Sequence, residues 1–267
     1  MTNSPTPTDT TSPGRPRSGR RWWWAGLAGL LVVALAGVAV WYFVFRDTAP
    51  AEVDIDTAAE SVDGGNGSSA SSTPSPAGDS LDGTWSIDTS IGDFDAAGSV
   101  FTSAFVGYRV NEQLAGIGAK TAFGRTPDVT GTLTIDGTTA TSAEFTADLT
   151  TLQSDDSRRD GQLRNQAIQT SQFPTATFAL AQPIDFGAVP TEGTTVTVDA
   201  TGDLTLHGVT KRVTVPLDTK LVDDTIVVTG LLDIRFADFG ISKPTSAAVL
   251  SIEDTGKMEV QLFFTKD

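Results

Sequence analysis

The fold is decided by one stretch: Thr195-Val196-Thr197-Val198-Asp199-Ala200-Thr201-Gly202-Asp203-Leu204-Thr205-Leu206-His207-Gly208-Val209-Thr210-Lys211-Arg212-Val213-Thr214-Val215-Pro216-Leu217. Val196, Val198, Ala200, Gly202, Leu204 and Leu206 fall on alternate positions, and Val213, Val215 and Leu217 do so again. Period two with one apolar face specifies half-buried antiparallel strands. His207-Gly208 between them reads as a turn. The same alternation recurs in Ala143, Phe145, Ala147 and Leu149, in Ile226 to Ile234, and in Met258, Val260, Leu262 and Phe264. Asp136-Gly137, Asp223-Asp224 and Asp254-Thr255-Gly256 punctuate these runs. Strands are therefore expected near 84–88, 99–110, 128–136, 139–150, 174–185, 194–206, 211–222, 225–236 and 257–265. Residues 111–123 are mixed in character, and 157–170 carry Leu163, Ala167 and Ile168 at helical spacing. An all-β domain follows, an up-and-down barrel or a sandwich of about eight strands with one short helix or two. A barrel of about eight strands can hold one small ligand, and alternation does not distinguish a filled barrel from a hollow one.

Upstream of this domain the composition changes three times. Residues 1–21 are rich in Thr, Ser and Pro and end in Arg15, Arg17, Arg20 and Arg21, which reads as a disordered cytoplasmic tail. Residues 22–45 contain no charge. As a helix they would reach about 36 Å, enough for a hydrocarbon core of about 30 Å. Trp22, Trp23 and Trp24 at one end and Trp41, Tyr42 and Phe43 at the other form the aromatic ends of a spanning helix. The four Arg before the run, against Arg46 after it, place the N-terminus in the cytoplasm and the rest outside. The run exceeds a signal-peptide core of about 7–15 residues, so an uncleaved anchor is expected. Residues 46–80 are acidic and then Gly-, Ser- and Pro-rich, and read as a flexible extracytoplasmic linker with a reach of about 30–35 Å. Within it, Asn66-Gly67-Ser68 has the form of a glycosylation sequon, a short match that linker composition also explains. The folded domain is expected over 81–267.

The inventory of side chains excludes much chemistry. Absence of Cys removes disulfides, thiolate nucleophiles and Cys-based metal sites, and a single His removes poly-His metal centres. Beyond residue 46 there are 13 Lys and Arg against 32 Asp and Glu, a net charge of −19, which opposes nucleic-acid binding. No Gly-x-Ser-x-Gly elbow is present, Gly116-Ile117-Gly118 lacks the rest of a dinucleotide fingerprint, and Asp238-Phe239-Gly240 stands without any other kinase element. His207 reads as a turn residue making structural hydrogen bonds. Asp155-Asp156-Ser157-Arg158-Arg159-Asp160 reads as a solvated helix start with Asp156 or Ser157 as N-cap.

Gly83-Thr84-Trp85-Ser86-Ile87-Asp88, Ser154 with Arg159-Asp160 and Leu163, Phe173-Pro174 with Phe178, Gly202 with Leu204-Thr205-Leu206-His207-Gly208-Val209-Thr210-Lys211, and Asp238-Phe239-Gly240-Ile241 occur in this order. Together they resemble the YceI-like (polyisoprenoid-binding) family, over about Asp82 to Asp267. The resemblance implies a lipocalin-like, extended antiparallel β-barrel with a small helix. It also implies carriage of an isoprenoid lipid, a polyprenyl or quinone tail, in the barrel interior. Two departures stand out. Gly107-Tyr108-Arg109-Val110-Asn111-Glu112 occupies the place where many members carry a His, and residues 118–131 differ from the usual loop, so the pocket mouth is expected to differ. The Gly, Ala, Thr and Asp bias with scarce Lys fits a high-GC, actinobacterial type of member.

The expected arrangement is thus a single-pass membrane-anchored, extracytoplasmic binding protein of a bacterial cell envelope. It is expected to be no enzyme and to need no cofactor or metal besides its lipid. The lipid-lining residues expected from strand phase are Phe101, Phe105, Phe145, Leu149, Phe178, Leu180, Leu204, Leu206 and Ile234, with Arg159 and Asp160 at the headgroup end. Partners are the isoprenoid lipid and the membrane, with a homodimer left open and nucleic acid excluded. Two other classes stand beside this one: a structural or partner-binding module using its outer surface, and an acid/base enzyme built on His207, Arg159 and Asp160. Convergence of those three on an open pocket would favour the enzyme, and His207 alone at a hairpin turn would oppose it.

Overall fold

The computed structural model describes residues 35, 37–38, 49–65 and 80–267. Of the expected membrane span only Leu35, Gly37 and Val38 are described, in helical conformation, and the rest of 22–45 lies outside the described residues, as do the 1–21 tail and Asn66. Among the described residues no helix is long and apolar enough to cross a membrane.

The domain is a closed antiparallel barrel. Its eight staves are β1 (Gly83–Ile87), β6 (Val129–Asp136), β7 (Thr139–Asp148), β8 (Thr175–Leu180), β10 (Thr195–Leu206), β11 (Val209–Val222), β12 (Thr225–Arg235) and β14 (Thr255–Lys266). They pair in that order, and β14 returns to β1 through Trp85–Lys266 and Ile87–Phe264. The alternation read in the sequence sets the register. Leu206 pairs with Val209 across a two-residue turn in which His207 and Gly208 have φ of 53° and 73°. Positive φ at both positions is the turn geometry that matches strand twist. Asp223 and Asp224 turn the chain from β11 to β12 in the same way, with φ of 44° and 61°.

One hairpin departs from the expected order. β4 (Phe105–Leu114) and β5 (Gly118–Thr126) form a long antiparallel pair on which residues 111–123 lie. The stretch 118–131 is therefore mostly strand, not a mouth loop. β4 pairs with the first half of β14, whereas β1 pairs with its far end. A single bridge, Arg125 to Gln153, ties β5 to the segment after β7 and closes this end of the barrel. The short strands β2 (Phe94–Asp95) and β3 (Val100–Phe101) form a separate ribbon. β9 (Ile184–Asp185) adds to β7, and β13 (Val249–Ile252) adds to the tip of β4. The expected 99–110 strand is thus two elements, and the expected 174–185 strand is β8 followed by β9.

The flexible-linker expectation for 46–80 fails over residues 50–65. Helix α1 (Ile55–Gly65) packs on β11 and β12. Asp54 begins it by accepting a hydrogen bond from the Thr57 amide at 3.0 Å. Ile55, Ala58, Ala59 and Val62 repeat at helical spacing, and Ile55 and Ala58 belong to the same buried cluster as Val227. Lys220 Nζ pairs with Asp56. Residues 66–79 of the same stretch lie outside the described residues.

Between β7 and β8 the chain forms helix α2 (Ser157–Gln162), which continues as a π-helical turn over Leu163–Ala167. Asp156, one of the two caps offered by the sequence, is its N-cap, accepting from the Arg158 amide at 2.8 Å. Two buried apolar clusters run along the barrel, one around Trp85, Ile226 and Phe264, the other around Leu206, Ile234 and Met258.

Candidate functional site: a divided lumen

Alternate residues of the staves point inward and leave three apolar chambers along the barrel. The upper chamber, about 130 Å³, is lined by Leu133, Phe145, Leu180, Ile226, Leu262 and Phe264 among others. The middle one, about 40 Å³, is bounded by Phe145, Phe178, Leu204, Leu217, Met258 and Val260. The lower one, about 110 Å³, lies among Tyr108, Leu149, Arg159, Leu206, Ile234 and Met258. Shared walls make this a single interrupted lumen: Phe145, Phe178 and Leu217 belong to upper and middle chambers, and Met258 to middle and lower.

The interruption has a sequence origin. Phe145 and Phe178 stack with ring centroids 5.5 Å apart and planes 18° apart. Phe145 pairs with Gly131, and a Cβ on Gly131 would lie 2.8 Å from the Phe145 Cβ. Gly202 similarly lies under the ring of Phe178, where a Cβ would meet it. Two glycines therefore make room for two phenyl rings laid across the barrel, and the rings partition it.

The lower end carries the polar groups. The rings and turns around it hold the motifs noted in the sequence. His207 Nδ1 lies 3.0 Å from the Phe239 carbonyl oxygen, so Nδ1–H donates, and the imidazole packs on Phe173 with centroids 4.3 Å apart. Gly240, at φ 66°, ends the short helical turn Phe236–Phe239 and directs Ile241 to the lower chamber. Asp160, 7% exposed, accepts from the Ser154 amide at 3.0 Å and the Ser154 hydroxyl at 2.6 Å. It thereby fixes the start of α2, and α2 brings Arg159 to the chamber wall. There Arg159 pairs with Glu112 at 3.2 Å and with Asp155 at 2.5 Å. Lys243, on the same wall, is bound to Asp254 at 2.6 Å and to the Ile252 carbonyl at 3.0 Å.

Tyr108 crosses the lower chamber from β4. Gly124 faces it on β5, where a Cβ would meet Tyr108 Cε1 at 2.5 Å. The Tyr108 hydroxyl is buried and makes no hydrogen bond. Burial pushes its pKa well above the ordinary tyrosine value of about 10, so it stays a neutral donor.

Of the residues expected to line the lumen, Phe145, Leu149, Phe178, Leu180, Leu204, Leu206 and Ile234 do so. Phe101 and Phe105 do not. On β4 the lumen takes Val106, Tyr108 and Val110, so Phe105 and Arg109 point outward. Phe101 meets Phe94, Phe105 and Phe123 edge-on, and Arg125 lies over both Phe101 and Phe105 at 4.6 and 4.3 Å. They form a separate apolar cluster outside the barrel. Of the two residues expected at the headgroup end, Arg159 lines the lower chamber, whereas Asp160 braces Ser154 and is not part of its wall. No hydrogen bond joins His207 to Arg159 or Asp160, and His207 lies at a hairpin turn, which opposes the acid/base arrangement. Among the described residues no group of three or more His, Asp or Glu could hold a metal. Tyr108 was missed because the expected 99–110 strand was phased on Phe101 and Phe105, which turns Tyr108 outward, and Glu112 because it lies in the mixed 111–123 stretch.

Outside the barrel, Glu259 is 0% exposed. It accepts from Arg125 Nε at 2.7 Å and lies 3.7 Å from Arg109 Nη1. The two guanidiniums also donate to the carbonyls of Pro50 and Ala51, Arg109 at 2.6 and 3.1 Å and Arg125 at 3.2 Å. The segment preceding α1 is therefore strapped over a buried charge cluster.

Comparison with known proteins gives the following. A solved polyisoprenoid binding domain from Saccharophagus degradans, implicated in plant cell wall breakdown, is 19% identical, with TM-score 0.49 over 68% of this chain and 98% of that one. Burkholderia cenocepacia BcnA is 21% identical, with TM-score 0.47 over 64% and 99%. Protein YceI of Escherichia coli O157:H7 is 34% identical over 122 residues, covering 45% of this chain and 56% of its own length. The chain thus spans little more than half the length of the curated relatives it matches. The model of the YceI-like domain family matches residues 85–264, well over half of the chain, and to that family the chain belongs.

Proposed function

We propose that this protein is a membrane-anchored, extracytoplasmic carrier of an isoprenoid lipid, polyprenyl or quinone-tailed, held in the barrel lumen. The observation that carries the reading is the row of apolar chambers along the barrel axis, lined from seven of its eight staves. A prenyl tail offers only hydrocarbon, and each buried CH₂ contributes about 0.8 kcal/mol. Such a tail needs an apolar channel and few polar contacts, which describes this interior. The family resemblance points the same way.

In this reading residues 22–45 cross the membrane once with the N-terminus in the cytoplasm. Support comes from the uncharged run, its aromatic ends and the Arg cluster before it. The barrel grips the chain again at Pro50, five residues beyond that run. The barrel then exchanges lipid with the bilayer that anchors it.

The test is lipid extraction and mass spectrometry of the full chain purified from its native envelope. A prenyl-bearing lipid in near-stoichiometric amount is expected. A chain that carries none, and takes none up from added prenyl lipid, overturns the reading.

A further inference from the structure

We infer that the tip formed by the β4–β5 turn and β13 is a membrane-docking surface, which seats Leu250 and Ile117 in the headgroup region of a lipid bilayer and holds the mouth of the lower chamber against it. The inference rests on the membrane location in the reading above, not on the cargo, and adds the face through which the barrel meets lipid.

The tip projects past the staves. β14 begins at Thr255, and just before it the Glu253 amide donates to the Asn111 carbonyl. Beyond that level β4 and β5 run on as a hairpin, with β13 added to β4 and the Ala115 amide donating to the Ala248 carbonyl at 2.9 Å. Residues 113–119 and 244–252 contain no charge, although 19% of the chain is charged. Leu250 is 71% exposed, more than any other large hydrophobic among the described residues. A slip in register puts it there: Val249 pairs with Leu114 and Ser251 with Gln113, so Leu250 is the extra residue of the strand. A bulge of this kind re-aims a side chain. Here it holds a leucine in water, a cost that contact with lipid removes. Ala115, Ala119 and Ala248 are exposed around it, and Ile117 is half-buried.

Three observations name a bilayer as the occupant. The tip borders the lower chamber, whose wall includes Val249 and Ile252 of β13 and Val110 and Ala122 of the hairpin. The strap meets the barrel at the same end: the Pro50 carbonyl accepts from Arg109, and Glu52 pairs with Lys257 at 2.8 Å, next in sequence to Met258 of the chamber wall. Five residues, at most about 18 Å of chain, link Pro50 to the uncharged run at 22–45. The third observation is charge. Beyond residue 46 the net charge is −19, yet residues 157–170 beside the mouth carry Arg158, Arg159 and Arg164 against one buried Asp160. Asp155 and Asp156 before them are engaged by Arg159 and by the Arg158 amide. Arg158 and Arg164 are exposed and make no ion pair among the described residues. Two exposed guanidiniums beside an uncharged apolar tip suit an anionic headgroup layer over hydrocarbon.

The test uses the absence of Cys, which lets single Cys variants take a polarity-sensitive fluorophore without background. The full chain carrying Leu250→Cys is reconstituted into vesicles of phosphatidylcholine with a minor share of phosphatidylglycerol. Its label is expected to shift to the blue and to lose intensity with nitroxide-bearing lipids. A label at Val189→Cys, an exposed position next to Pro190 of the upper chamber, should do neither. Leu250→Asp alters a side chain outside both buried clusters, so folding should persist. It should lower the ratio of docked to undocked chains about tenfold or more, read as lost quenching of a label at Ala115→Cys. Equal quenching at Leu250 and Val189, or undiminished quenching at Ala115 in Leu250→Asp, in chains that float with the vesicles, overturns the inference and leaves the anchor intact. Self-quenching of the Leu250 label that persists when the chain is diluted in excess lipid shows a second copy covering the tip, and overturns it as well. A chain that does not float with the vesicles overturns the membrane location itself, and this inference with it.

Discussion

Glu259→Gln should cost the domain a large part of its stability. Glu259 lies on the outer face of β14 with no exposed surface, between Arg125 at 2.7 Å and Arg109 at 3.7 Å. The substitution keeps the shape and one acceptor but removes the carboxylate that, among the described residues, partners two guanidiniums that are 3% and 9% exposed. The carbonyls of Pro50 and Ala51 and the rings of Phe101 and Phe105 would remain as their only compensation. Removing one partner of a buried pair costs about 3–5 kcal/mol. Native stability is about 5–15 kcal/mol, and 1 kcal/mol moves the midpoint by about 2–4 °C in a domain of this size, so a fall in Tm of about 6–20 °C is expected. Urea titration and thermal melting of the full chain would measure it. A parallel Arg109→Met, Glu259→Gln pair should show coupling above about 0.5 kcal/mol in a double-mutant cycle. Limited proteolysis between Ala49 and Asp54 should quicken in the single variant, since the strap is held by the same two Arg. A loss under about 1 kcal/mol, with unchanged proteolysis, would show that the cluster is solvated and that the strap docks without it.

Phe178→Ala should join the upper and middle chambers. Lipid-free protein should lose about 3–5 kcal/mol, and the thermal stabilisation on adding a prenyl lipid should be larger than in wild type; an unaltered melting curve would refute the stacked partition. Asp160→Ala leaves the buried Ser154 amide without its acceptor and the hydroxyl with the Asp156 carbonyl alone, and should cost about 1.5–3 kcal/mol in denaturant unfolding, with Ser154→Ala costing less. The Asp54 carboxyl is held below the ordinary carboxylate value, first by the Thr57 amide it caps. A depressed folded-state pKa means stability that is present above about pH 4 and is lost as pH falls through the lower folded value. Hydrogen exchange of the α1 amides should therefore stay slow near neutrality and quicken below about pH 4. Asp54→Ala should remove that pH response, and a response persisting in the variant would place its origin elsewhere.

What could be read from the chain depended on whether one face of a segment meets water. β10 and β11 alternate cleanly because apolar residues face the lumen while Thr, Asp and Lys face outward, and β12 kept a legible inward row although helix α1 covers Val227 on its outer face. β4 and β5 were obscured because both faces are covered. Arg109 and Arg125 are buried outward beneath the strap, and Glu112 lines the chamber inward, so polar residues occupy both phases. Phasing the expected 99–110 strand on Phe101 and Phe105 hid Tyr108, which lies on the opposite face. Phe101 and Phe105 were assigned to the lumen on the assumption that a barrel buries aromatics inside. Here a ribbon and β5 bury them outside. α1 carried a readable signal, Asp54 followed by Ile55, Ala58, Ala59 and Val62 at helical spacing. It was masked by Ala-rich, acidic surroundings that resemble the Gly- and Ser-rich stretch after it. The Ser154, Arg159 and Asp160 constellation was visible, but only the fold separates the residue that braces from the residue that reaches the chamber.

The stacked rings of Phe145 and Phe178 bear on time as well as on space. A tail short enough to end at the lower chamber would leave without disturbing them. A longer tail would have to displace both phenyls to enter, and displace them again to withdraw. Each isoprene unit threaded beyond the pair adds buried hydrocarbon on the far side of a latch. Dwell time should then rise in a step, not smoothly, with tail length, and the barrel would sort its cargo by how slowly each tail escapes.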